Sequence, residues 1–284
     1  MANPVLTADR FQIPPETEAT TSAAAAGSIP PPPVAAATGA GEKRMTVGGT
    51  MTATGVLFAL ILASGAFGWS RVVQSSVWVV GNQIVPEGTP NAVLENTTSI
   101  PGWLFISALV GFGLAMVAIF KPRTAPFLAP AYALCYGVAL GAISAVYNQS
   151  YDGIVVQAVL ATFAIFFVML FLYVTRIIKV TKRYVTVVVA ATLGIMVMYL
   201  VTWVATLFGA DIAFWNQPSA LGIGITVVIL IVASLNLGID FAFIERASAA
   251  GAPRYMEWTG ALGVTVTMVW IYLEVLRLLA MLRR

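Results

Sequence analysis

Residues 219–246 read SALGIGITVVILIVASLNLGIDFAFIER, and this stretch decides the fold. From Ser219 to Ile239 no side chain is charged, and about 20 apolar residues rising 1.5 Å each cross a hydrocarbon core of about 30 Å. The run closes on Asp240. A carboxylate at membrane depth persists mainly where it pairs, lines water or moves ions, so Asp240 is a functional-site candidate. Asn236, four residues earlier, shares its helical face. Gly222, Gly224 and Gly238 on the same helix let neighbouring backbones approach closely.

Composition generalises this reading to the whole chain. Hydrophobic residues make up 59% of 284 and charged residues 10%, whereas soluble domains carry about 25% charged residues. The chain is therefore an integral membrane protein, all-α in class. With no histidine and one cysteine, Cys135, it lacks the usual imidazole base, metal ligand and thiolate cluster. Metal-hydrolase and redox chemistry lose their support, so we expect a non-enzyme without a cofactor. The net charge of +3 does not point to nucleic acid, because the basic residues sit at the ends of apolar runs, at lipid headgroup level.

Seven apolar runs follow one another at roughly 51–69, 102–120, 126–147, 154–175, 184–208, 219–240 and 258–282. Their limits carry breaking residues such as Lys121-Pro122-Arg123, Asp152-Gly153, Asn216-Gln217-Pro218 and Gly251-Ala252-Pro253. Residues 1–44, with Pro30 to Pro33 and the tract Ala23 to Ala26, hold too little apolar surface to offset ordering entropy and read as a disordered tail. They lack the basic and apolar regions of a cleaved signal, so the first span is read as an uncleaved anchor. Residues 45–284 form one transmembrane domain. The one sizeable loop is 72–100, whose Val72–Val85 part reads as an interfacial segment.

Positive charge sets the expected orientation. One side carries Lys43, Arg44, Lys121, Arg123, Arg176, Lys179, Lys182, Arg183, Arg246 and Arg254, ten in all; the other carries Arg71, Arg277, Arg283 and Arg284, four in all. This bias predicts a multi-pass protein of the cell membrane with a cytoplasmic amino terminus. Seven spans then put the carboxyl terminus outside. The three terminal arginines run against the bias and leave a re-entrant last segment as an alternative.

Few polar groups lie within the spans. Asp240 has two readings: an interfacial residue at the end of its helix, or, if that helix runs on to about Ala250, a carboxylate more than two turns inside that needs a partner. Glu274 and Arg277 are three apart and can pair on one face. The simpler reading places them in the outer leaflet, snorkelling to the interface; a functional Glu274 must face the bundle interior. Thr265 and Thr267, deeper in that helix, can bond their own i−4 carbonyls and say little alone. Gly137 and Gly141 form a small-xxx-small pair that reads as helix packing.

A family resemblance rests on several stretches. PAYALCYG at 130–137, LGAISAVY at 140–147, QAVLAT at 157–162, IKVT at 178–181, NLGIDF at 236–241 and YLEVLRLL at 272–279 resemble the bacterial Bax inhibitor family of membrane proteins across about residues 45–282. The resemblance implies a seven-transmembrane-helix bundle with six helices around a central seventh. It also implies a pH-sensitive calcium leak, gated by a carboxylate pair between helices six and seven that shares a proton or pairs with an arginine. Asp240 matches the helix-six aspartate, whereas Thr267 stands where the helix-seven aspartate is expected, with Glu274 about 10 Å further along. Tyr136 stands where many relatives carry glutamate.

Two functions follow as expectations. The first is a proton-sensitive cation leak, for calcium because hard cations take carboxylate and carbonyl oxygens, with Asp240, Thr267 and Asn236 as sensor and gate and Glu274 and Arg277 in support. The second is a non-conducting regulator that binds another membrane protein such as a quality-control protease; the missing second carboxylate favours it. Expected partners are the lipid bilayer, protons or calcium ions, and such a membrane protein.

Overall fold

The computed structural model describes residues 44–80, 83–87, 89–91, 93–99, 101–209 and 219–283. The expected disordered tail lies outside the described residues but for Arg44. Among the described residues, seven helices are long and apolar enough to span a membrane: α1 (Val47–Ser70), α2 (Trp103–Phe120), α3 (Ala125–Ser150), α4 (Ile154–Val174), α5 (Lys182–Leu207), α6 (Ala220–Ala249) and α7 (Met256–Leu282). Side chains cap three of them: the hydroxyl oxygens of Thr46, Thr181 and Ser219 accept from the backbone N–H groups of Gly49, Tyr184 and Gly222, which satisfies donors that a helix start leaves open. α6 runs nine residues beyond Asp240. The carboxyl therefore lies about 14 Å inside the helix end, the second of its two readings.

α7 occupies the centre. Residues 260–262, 264–265, 267–269, 271–272 and 274–276 are all buried, and one stripe through Gly263, Val266, Trp270 and Leu273 is partly exposed. It packs on α1, α2, α3, α4 and α6, and Tyr199 of α5 reaches it through hydrogen bonds. A helix buried over most of its circumference belongs in the core of a bundle, as the family resemblance implied. α5 packs on α6 and turns most of its surface outward.

Small residues set the tightest contact, between α1 and α3. A Cβ at Gly141 would collide with the Gly65 carbonyl, and one at Gly68 with the Val138 carbonyl. The Gly137 and Gly141 spacing is thus a packing device. Gly238 of α6 likewise admits Tyr184, whose hydroxyl donates to the Leu235 carbonyl at 2.7 Å.

The loop between α1 and α2 departs from expectation. Its Val72–Val85 part, read as an interfacial segment, contributes two strands: β1 (Val73–Val80), β2 (Gln83–Val85) and then β3 (Val93–Ser99) form an antiparallel sheet in the order β2-β1-β3, with Val79 opposite Ile84 on one side and Val93 on the other. Backbone groups outside a helix need partners, and neighbouring strands supply them where the chain is rich in β-branched residues.

The two ends of the bundle are stitched differently. At the face where α1 and α7 begin, the Met45 amide donates to the Ala252 carbonyl at 2.7 Å, and buried Glu257 accepts from the Thr46 amide and hydroxyl at 3.0 Å each. At the opposite face Arg283 donates to the Asp152 carbonyl at 2.9 Å and Gln157 Oε1 at 2.7 Å. α7 is one uninterrupted helix of 27 residues, so a re-entrant last segment is overturned. Two of the arginines that ran against the charge bias, Arg277 and Arg283, have specific partners inside the fold.

Candidate functional site

The antiparallel seam of α6 and α7 brings Asp240 opposite Thr267. Thr267 Oγ1 donates to Asp240 Oδ2 at 2.7 Å, instead of bonding a carbonyl of its own helix as Thr265 does with Ala261. Gly263, one turn before Thr267, leaves room for the acid: a Cβ there would stand 3.1 Å from Asp240 Oδ1. Leu237, Phe241, Val264, Met268 and Ile271 are buried beside this contact. Among the described residues no ion pair forms at Asp240. Its charged form can only accept hydrogen bonds, whereas its neutral form also donates one. A change of protonation therefore changes which contacts the α6–α7 seam can make.

Asn236 is not brought into this contact. Its side-chain amide donates to Thr192 Oγ1 of α5 and to the Val232 carbonyl, both at 2.9 Å. It shares a helix with Asp240 but tethers α5.

Glu274 and Arg277 do not snorkel. Their side chains are 5% and 13% exposed and paired at 2.5 Å. Tyr199 donates to Glu274 Oε1, and Trp270 Nε1 adds a bond at 3.3 Å. Arg277 donates to the Tyr199 hydroxyl at 3.2 Å and to Thr226 Oγ1 at 3.4 Å. The physical reason is the position of α7: other helices cover most of its surface, so the charges are met within the bundle. Arg277 also lines a cavity of about 280 Å³ with Tyr147, Ser150 and Tyr151 at the end of α3. The pair lies seven residues, about 10 Å, along α7 from Thr267. It forms a polar layer separate from Asp240.

Sequence reasoning missed Tyr199 and Thr226, since a tyrosine or threonine in an apolar run gives no sign of its neighbours. It also missed a network at the other face, where Glu245 accepts from the Tyr173 hydroxyl and pairs with Arg176 at 2.6 Å, while Arg246 donates to the Val180 carbonyl at 2.8 Å. The clue was the charged pair Glu245-Arg246 just past Asp240. Tyr136 stacks on Tyr132 with ring centroids 5.4 Å apart. Among the described residues no group of three or more acidic, cysteine or histidine side chains could hold a metal ion.

These features define a seven-helix membrane protein whose central last helix carries a lone acid–hydroxyl contact with the sixth. The family model described as Bax inhibitor 1 like matches residues 3–284, and the chain belongs to that family. No curated protein matches the sequence significantly.

Proposed function

We propose that the protein is a proton-responsive cation leak, with calcium as the ion, gated at the contact between Asp240 and Thr267. The observation that carries this reading is the 2.7 Å hydrogen bond from Thr267 to a carboxylate that has no ionic partner among the described residues. When Asp240 gains a proton it becomes a donor as well as an acceptor, the balance of contacts across the α6–α7 seam shifts, and the closed packing of Leu237 and Ile271 beside it is biased. Carboxylate oxygens suit a hard divalent cation, and one carboxylate gives a weak, transient site of the kind a leak requires. In this reading the amino-terminal face is cytoplasmic. The test is calcium flux into liposomes holding the purified protein, measured across pH for the parent and Asp240→Asn; pH-independent flux that the substitution leaves unchanged would rule out gating by Asp240.

A second reading is favoured by one observation: the residue facing Asp240 is a hydroxyl and not a second acid. A protein without the paired-acid site could act as a non-conducting regulator that contacts another membrane protein through its loops. Absence of any flux at every pH would support it.

A further inference from the structure

α1 and α4 line two cavities that meet at Phe58. Towards the face where α1 begins lies a space of about 620 Å³ whose walls include Met51, Gly55, Phe167 and Val174; towards the other face lies one of about 500 Å³ walled by Leu62, Trp69 and Val159. The edge-to-face pair Phe58 and Phe163 stands between them. The floor is the central helix itself, at Val264, Met268 and Tyr272. From Met51 to Trp69 the groove runs about 27 Å at 1.5 Å per residue, close to the hydrocarbon thickness of about 30 Å. Because both walls are membrane-spanning helices, a groove between them opens sideways into lipid.

The mouth near the beginning of α1 is polar. Arg176 closes it with a guanidinium that is 67% exposed, beside Glu245 at 42% exposed and the Tyr173 hydroxyl. Arg176 holds a left-handed backbone conformation, φ 58°, which glycine adopts without a Cβ clash and which is common just past a helix end. An arginine there keeps its side chain at a conformational disadvantage. Its pairing with Glu245 uses one nitrogen at 2.6 Å, and the guanidinium fork has further donors suited to a phosphate. Lys179 and Lys182 follow in the same connection and add positive charge at headgroup level.

We propose that this groove is a phospholipid-binding site, in which one acyl chain of a bilayer glycerophospholipid lies between α1 and α4 against α7 and its phosphodiester bonds to Arg176. The occupant is a lipid because the walls are apolar along the membrane depth, while at the mouth Arg176 pairs with Glu245 through one nitrogen and keeps further exposed donors for an anionic phosphate. The site is independent of whether the protein conducts ions.

The test is native mass spectrometry of the full chain released from nanodiscs of phosphatidylethanolamine and phosphatidylglycerol, counting phospholipids retained per protein. Gly55→Leu adds bulk to the groove wall at a position where a Cβ meets nothing within 4 Å; Gly113→Leu makes the same change on α2, where a Cβ also meets nothing. Arg176→Asn removes the charge yet tolerates the left-handed backbone. The parent should retain about one phospholipid, Gly113→Leu should match it, and Gly55→Leu and Arg176→Asn should each reduce retention by about tenfold, as expected for losing the buried chain or the charge-assisted contact. Circular dichroism of each variant confirms the fold, and Arg176→Asn alone decides the matter if Gly55→Leu does not fold. Equal retention in all four proteins would mean only annular lipid and would overturn the proposal. So would a dimer of the parent that retains no lipid and is dissociated by Gly55→Leu.

Discussion

Thr267 Oγ1 reaches across from α7 to Asp240 Oδ2 of α6 at 2.7 Å, so the acid nearest the middle of the sixth helix is answered by a neutral hydroxyl. An acid facing a hydroxyl and an acid facing an acid differ in the number of protons they exchange. The first titrates as a single site, the second as a coupled pair whose two steps belong to both residues.

If Asp240 gates a leak, flux against pH should therefore follow a shallow, single-site curve in the parent. Asp240→Asn should flatten it by fixing a neutral group that still hydrogen-bonds. Thr267→Asp should steepen it by placing a second carboxylate across the seam. Liposome calcium flux over a pH series reads all three, and an unchanged slope in Thr267→Asp would remove the coupled-pair argument.

The Thr267 hydroxyl should also be visible in stability. Thr267→Val keeps the shape but leaves the Asp240 carboxyl without that donor, and the expected loss is about 1–3 kcal/mol. Thr267→Ser should recover most of it. Thermal unfolding in detergent measures both, and equal melting of Val and Ser variants would show that the bond contributes nothing.

The buried pair of Glu274 and Arg277 should behave as a unit. Removing one partner, as in Arg277→Met, leaves a buried charge and should cost about 3–5 kcal/mol. The double variant Glu274→Leu with Arg277→Met should cost far less than the sum of the singles. A double-mutant cycle by unfolding decides it; additive losses would contradict the 2.5 Å contact.

Glycine positions separate packing from freedom. Gly141→Ala drives a Cβ into the Gly65 carbonyl and should cost about 1–3 kcal/mol through overpacking, whereas Gly113→Ala meets nothing and should be neutral or stabilising by up to about 1 kcal/mol. The same melting assay compares them.

Terminal thiols test the orientation. An added cysteine before Thr50 should be labelled from the cytoplasmic side and one at the carboxyl end from outside, as the ten-to-four charge bias predicts. Labelling of both ends from one side would contradict seven crossings.

The sequence alone determined the number of apolar helices and their approximate limits, and it singled out Asp240 as the candidate site residue. These are local properties: the bilayer requires each crossing segment to satisfy its own backbone groups, so about 20 apolar residues announce a helix wherever they stand. The family-specific stretches added the central placement of the seventh helix. Only the tertiary structure decided which neighbour each polar face meets. Helical spacing put Asn236 and Asp240 on one face, yet one side chain serves α5 and the other α7. Spacing also allowed Glu274 and Arg277 to pair, but their burial follows from α7 being enclosed, with Tyr199 and Thr226 arriving from helices distant in sequence. The periodicity of a helix specifies where a side chain points; what it points at depends on packing between segments, which no single segment encodes.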